Sequence, residues 1–262
     1  MTMTTATTIE ELLARFSYVL SDEQMIEFNK TLRGLATAML AKNWRYLSQV
    51  LSHGRGWNDN SKRAFCEAIG KTEDLTAKAM DAHIAEYCGV SVQLMTATLE
   101  YDFAVKQLKE AEVDLLDFKG GDECIEEIEL KIKDGMDKVE VINRKTYLLN
   151  TSTGHGLYLR RKVAIEYAKA RLKVIALNEA VIFENKSLAK KQKQAALLNV
   201  SRTLRNAPSL IEWLDNSIRN GFNALSVLNG VTYLCNNNTG QGYPLNHSLL
   251  VDYARAECIL CA

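Results

Sequence analysis

Only two prolines, Pro208 and Pro244, interrupt this chain of 262 residues, and glycine contributes only 14. That scarcity excludes long Pro- or Gly-rich linkers and low-complexity disorder. No apolar run approaches the roughly 20 residues that a membrane helix needs, so no membrane association is expected. Residues 1–8, MTMTTATT, have neither a basic region nor an apolar core, and no signal peptide is expected. The six cysteines are too scattered for a disulfide framework and read as reduced thiols of a cytoplasmic protein. Histidine is rarer still, with four residues isolated from one another in sequence. Hydrophobic content of 47% and charged content of 24% are those of an ordinary globular chain.

Net charge is absent too, but only on the whole-chain scale. Between Thr98 and Ile142 the sequence has 14 acidic and 6 basic residues, and between Leu157 and Arg205 it has 12 basic and 3 acidic. A segregated charge pattern suggests binding to nucleic acid or to a complementary protein surface. The alternative is that the two segments neutralise each other within one fold.

Against this background one stretch is written twice. VINRKTYLLNTSTGHGLYL (Val141–Leu159) and VLNGVTYLCNNNTGQGYPL (Val227–Leu245) agree at 10 of 19 positions, where composition alone gives about one or two. The match continues upstream, IEEIELKIKDGM against IEWLDNSIRNGF, and downstream, AIEYAKA against LVDYARA. A third, diverged copy is suggested near the N-terminus, where Gly34 precedes Tyr46-Leu47 with similar spacing and SHGRGW (Ser52–Trp57) supplies another Gly-x-Gly. Internal repeats of this kind are single supersecondary units stacked on one another.

Spacing within the unit favours helices. Ile125, Ile128 and Ile132 recur at helical intervals, as do Ile211, Leu214 and Ile218. The following stripe, Val139, Ile142, Thr146 and Leu149, also fits a helical period, although KVEV taken alone permits a strand. The Asn–Gly stretch then connects a second helix to a third. The expected architecture is all-α: two or three diverged copies of a three-helix unit with Gly-x-Gly loops. The divisions are an N-terminal helical region (1–97), a middle repeat (98–183) and a C-terminal repeat (184–262).

Two surfaces could carry function. The first is basic: Arg160, Arg161, Lys162 and Lys169, continued by Lys190, Lys193 and Arg205 on a helix with Leu188, Ala195, Leu198 and Leu204 turned inward. Together these cations could follow a phosphate backbone with little sequence specificity. The second is the edge formed by the duplicated loops, with Asn150, Thr153, Gly154, His155 and Gly156 in one copy and Thr239, Gly240, Gln241 and Gly242 in the other. A Gly-rich turn leading into a helix offers N–H groups to an anion. Neither loop has the Gly-Lys-Ser/Thr ending of a nucleotide-binding P-loop.

Catalytic and metal signals are weak. Cys258 and Cys261 form a CxxC without a second pair or a nearby histidine. His155 lies near Thr153 and Tyr158, but no nucleophile motif or paired carboxylate supports a general base there. The sequence therefore implies a non-enzymatic binding protein without cofactor or metal, partnered by nucleic acid through the basic surface. The competing expectation is a protein–protein adaptor or inhibitor using the acidic 98–142 segment and the loop edge, with which self-association into a homo-oligomer is compatible. An acidic protein could occupy the basic surface in place of nucleic acid. An enzyme or receptor for a phosphorylated small ligand at the Gly loops is the third option.

Overall fold

The computed structural model describes residues 8–52, 59–71 and 75–262. Among them are eleven helices and six strands, the strands forming two three-stranded antiparallel sheets. The all-α expectation is thereby corrected: helix dominates, but the duplicated stretch is built on strands.

The N-terminal part is helical. It comprises α1 (Ile9–Phe16), α2 (Asp22–Glu27), α3 (Asn29–Leu40), α4 (Trp44–Leu51), α5 (Asp59–Ile69), α6 (Ala77–Cys88) and α7 (Val92–Leu116). Capping boxes open α1 (Thr8 with Glu11) and α2 (Ser21 with Gln24), each satisfying two backbone donors reciprocally. The amphipathic faces converge on Phe16, Leu35, Met39, Leu47, Phe65 and Ile84, all fully buried. In the region proposed as a third copy, Gly34 lies inside α3 and Tyr46 lies in α4. Tyr147 and Tyr233, with which Tyr46 aligns, both lie in strands, and Gly135 and Gly221, with which Gly34 aligns, lie in turns, so the similarity does not extend to local structure at these positions. Residues 53–57 of its loop lie outside the described residues.

The middle copy reads α8 (Gly121–Lys133), β1 (Lys138–Ile142), β2 (Lys145–Leu149), β3 (Gly156–Leu159) and α9 (Lys162–Thr203). The last copy reads α10 (Ala207–Arg219), β4 (Ala224–Leu228), β5 (Val231–Cys235), β6 (Gly242–Leu245) and α11 (Ser248–Cys261). Each first residue in the second set lies 86 positions after its counterpart. The chain divides into two compact units, Met1–Asn178 and Glu179–Ala262, with the boundary inside α9.

Turn chemistry explains why the helical reading of 139–149 fails. Asn143 and Arg144 both have positive φ (50° and 65°), as do Asn229 and Gly230 (50° and 77°). Two consecutive left-handed residues form the tight turn whose twist matches a β-hairpin, and Asn-Gly is its strongest sequence signal. In the sheets, Val139, Leu148 and Leu157 lie opposite one another, as do Leu225, Leu234 and Tyr243. Period-2 alternation thus places Leu148 and Leu234 inward, where both are fully buried. In the middle copy the covered sheet face packs with Leu115, Ile128, Ala164, Tyr167 and Ala168. Its counterpart in the last copy packs with Val200, Leu214, Ile218, Leu250, Tyr253 and Ala254.

The duplicated loops join β2 to β3 and β5 to β6, rather than helix to helix. Their asparagines are not left-handed but act through the side chain. Asn150 Oδ1 accepts from the N–H of Ser152 (3.0 Å) and Thr153 (2.9 Å), and Asn236 Oδ1 from Asn238 (2.9 Å) and Thr239 (3.2 Å). The chain leaves α8 and α10 through Gly135 and Gly221, at φ 94° and 95°. A Cβ on either glycine would stand 3.1 Å from the Nδ2 of the same asparagine. Glycine is therefore required there by both conformation and space.

Removing the asparagine side chain leaves two loop donors to find water. Asn236→Ala is expected to cost about 1–2 kcal/mol, and Asn150→Ala less, because Asn236 is the more buried. Urea unfolding of the two variants checks both the size and the order.

Candidate functional site

Each sheet is covered on one face. On the open face of the first sheet the residues are Lys138, Glu140 and Ile142 on β1, Lys145, Tyr147 and Leu149 on β2, and Gly156 and Tyr158 on β3. Tyr147 and Tyr158 are directly opposite in register, with ring centroids 5.3 Å apart and planes tilted by 41°. Two cations bracket the pair: Lys145 Nζ is 5.5 Å from the Tyr158 ring centroid, and the Arg160 guanidinium is 5.9 Å away. Tyr158 and Ile142 are 40% and 43% exposed, so this face is open to solvent.

Beside the rings is a hollow of about 300 Å³, lined by Ile142, Lys145, Tyr147, Leu149, Gly154 and Gly156. Gly156 is essential to it, because a Cβ there would meet Leu149 Cδ2 at 2.5 Å. Leu149 can lie across the strand only because its opposite number has no side chain. Lys138 and Glu140 neutralise each other at 3.0 Å on β1. Lys145 and Arg160 have no carboxylate within ion-pair range among the described residues, and Arg144 and Lys162 are exposed nearby in sequence.

The other anticipated basic residues are more committed. Arg161 donates to the Lys119 carbonyl (3.2 Å) and sits over Phe118. Lys169 lies 3.7 Å from Glu166. Lys193, expected to face outward, is half-buried, paired with Glu257 and 5.3 Å from the Tyr253 ring centroid. Lys190 and Arg205 are exposed. The inward face of this part of α9 is Ala189, Ala196 and Val200, one or two residues away from the expected stripe, while Leu198 is 50% exposed. The seven cations are divided between the two compact units, four in Met1–Asn178 and three in Glu179–Ala262.

The acidic and basic segments do meet inside the fold. Arg171 Nε donates to both oxygens of Glu129 (2.7 and 3.0 Å), and Tyr167 donates to Glu129 Oε1 (2.8 Å). In the last copy Tyr253 donates to Asp215 (2.8 Å), the residue 86 positions after Glu129. The retained tyrosines therefore brace the two helices of each copy. Burial, helped by the hydrogen bond to Asp215, pushes the Tyr253 phenol up to about 12.

The loop edge is occupied by its own hydrogen bonds. Besides the two donors held by Asn150, the Gly154 N–H reaches the Asn150 carbonyl (2.9 Å) and the His155 N–H reaches Thr153 Oγ1 (3.4 Å). Gly240 and Gln241 repeat this with Asn236 and Thr239, also at 2.9 and 3.4 Å. These loops lead into strands rather than helix N-termini, and donors spent on the loop do not form an anion cradle. Only Gly154 and Gly156, through the hollow, become part of the open face; Gly242 holds the equivalent place on β6.

Burial pushes the Cys258 thiol up to about 11, as it does that of Cys88. Among the described residues no group of three or more His, Cys, Asp or Glu is placed to hold a metal ion. No described helix is long and apolar enough to cross a membrane.

The tyrosine braces yield a pH prediction. A phenol whose folded pKa lies above its unfolded value of about 10 stabilises the fold fully below pH 10, and this stability is lost as pH rises towards 12. Tyr253→Phe should lower stability at neutral pH by about 1–3 kcal/mol and flatten the decline between pH 10 and 12, measured by urea unfolding across that range. No protein-family model, curated protein or solved structure matches this chain.

Proposed function

We propose that this protein binds single-stranded nucleic acid on the open face of its first sheet and catalyses no reaction on it. The observation that carries the reading is the Tyr147–Tyr158 pair with Lys145 and Arg160 beside it. Every base has an apolar π-face, and an exposed tyrosine offers a matching platform worth about 1–3 kcal/mol per stacked base. The flanking cations supply phosphate neutralisation at the same place. A duplex hides its base faces, so the geometry favours unpaired strands. The adjoining hollow sets Ile142 and Leu149 beside the Tyr147 ring, with Asn143 and Lys145 as its polar side chains; so few base-edge hydrogen-bonding groups imply weak sequence preference.

This reading moves the site. The sequence pointed to a surface running along α9, but Arg171, Lys193 and Lys169 have carboxylate partners there. The cations supporting the proposal are those beside β2 and β3.

Fluorescence anisotropy of the full chain with labelled oligo(dT), oligo(rU) and a duplex, across a salt series, tests it. Single strands should bind with a log–log salt slope of roughly −2 to −3, as about four neutralised phosphates imply. Tyr147→Ala and Tyr158→Ala should each weaken binding roughly tenfold, while Lys190→Glu should leave it unchanged. No binding at low salt, or binding indifferent to both tyrosines, would overturn the proposal.

A further inference from the structure

β3 is an edge strand, since the sheet order is β1-β2-β3. Its hydrogen-bonding phase follows from the hairpin it closes. The Asn150 N–H donates to the His155 carbonyl, so in the antiparallel alternation the pairs 148–157 and 146–159 are the hydrogen-bonded ones. Gly156 and Tyr158 consequently point their N–H and C=O groups away from β2, along the free edge. No hydrogen bond from the described residues reaches those groups.

That edge does not face open solvent alone. Between it and α8 runs a groove of about 630 Å³. One wall is α8, with Glu123, Cys124, Glu127 and Ile128 at helical spacing; the other is β3, and Arg160 and Arg161 stand at the end of the strand. Glu123 and Glu127 have no ion-pair partner among the described residues. The groove therefore offers a backbone ladder, an acidic wall and a basic end.

The last copy shows the same place closed. Trp213 stands 86 residues after Glu127, and Tyr243 stands 86 residues after Leu157. Their rings meet between α10 and β6 at 5.6 Å, and Phe222 packs on Tyr243 at 4.7 Å. Leu210 and Leu250 replace the smaller Cys124 and Ala164. Tyr158 is matched by Pro244, which has no N–H to offer at the outward-facing position. Proline and bulky cover are the usual ways of blunting an edge strand. One copy is blunted twice over; the other is not blunted at all.

We infer that the α8–β3 groove takes an extended segment of a partner protein as a fourth strand on β3. Its backbone pairs with Gly156 and Tyr158, a basic side chain lies against Glu123 and Glu127, and a carboxylate is held at Arg160. Main-chain pairing supplies affinity in such strand addition, and the side-chain walls supply selectivity. The inference uses the backbone edge of β3 and not the tyrosine rings, and shares only Arg160 with the nucleic-acid reading, so the strand-pairing variants test it separately from nucleic-acid binding.

The test uses the full chain immobilised against a displayed library of random dodecapeptides, with the Glu127→Trp variant for counter-selection. Enriched peptides should combine a basic residue with a nearby acidic residue or free carboxylate, and should slow amide exchange at Tyr158. Tyr158→Pro, which copies Pro244, should weaken them at least tenfold. Tyr158→Ala, which keeps the N–H, should change affinity less than threefold. Glu123→Lys combined with Glu127→Lys should also weaken them at least tenfold. Failure to enrich any sequence, or peptides bound equally by Tyr158→Pro, would overturn the inference. So would a dimer of the chain alone that Glu127→Trp dissociates, because the occupant would then be a second copy. Should Tyr158→Pro not fold, the Glu127→Trp comparison and the amide protection still decide.

Discussion

A three-stranded sheet of four- and five-residue strands has two faces and two edges, and it cannot stand in water without burying one face. Each copy has helices for one face only. Leu148 and Leu234 occupy the centres of the covered faces and are fully buried; fully burying such a side chain contributes about 1.5–3 kcal/mol. The functional possibilities of the molecule arise from what this arrangement leaves uncovered: one face and the strand edges.

The two copies treat that remainder differently. In the middle copy the open face carries rings and unpaired cations, and the edge borders a charged groove. In the last copy the equivalents of Lys145 and Arg160 are Val231 and Asn246, and Pro244 faces Tyr233 where Tyr158 faces Tyr147. The shared residues, by contrast, hold the scaffold: the loop asparagines, the glycines that yield to them, and the tyrosines that brace helix to helix. Tyr147 and Gly156 of the open face are also shared, as Tyr233 and Gly242; what differs between the copies is Tyr158, the cations beside it and the wall of the groove.

This division also explains what could be read in the sequence. The copies were visible as letters, as were their first helices in the spacing of Ile125, Ile128 and Ile132 and of Ile211, Leu214 and Ile218. The strands were not, because Val139, Ile142, Thr146 and Leu149 satisfy a helical period while every second residue of the same stretch satisfies a strand. Asn229-Gly230 was the signal that decides between them, since only a hairpin needs two successive left-handed residues. Misreading it concealed the Tyr147–Tyr158 pair, which exists only through cross-strand register. The α9 face was misjudged for another reason. Lys193 is drawn inward by Glu257 and Tyr253, partners that lie 60 or more residues away and leave no mark in local periodicity.

The hairpin turns also have a kinetic consequence. Every strand pairs with its neighbour in sequence, across a two-residue turn or a six-residue loop, so neither sheet requires closure of a long chain segment. Hairpins of this length form in about 1–10 μs, and topologies rich in local contacts fold quickly. Each meander can therefore pair its strands as soon as its own residues are available, with the left-handed Asn143–Arg144 and Asn229–Gly230 pairs fixing register, and the following helix then holds it by covering the buried face.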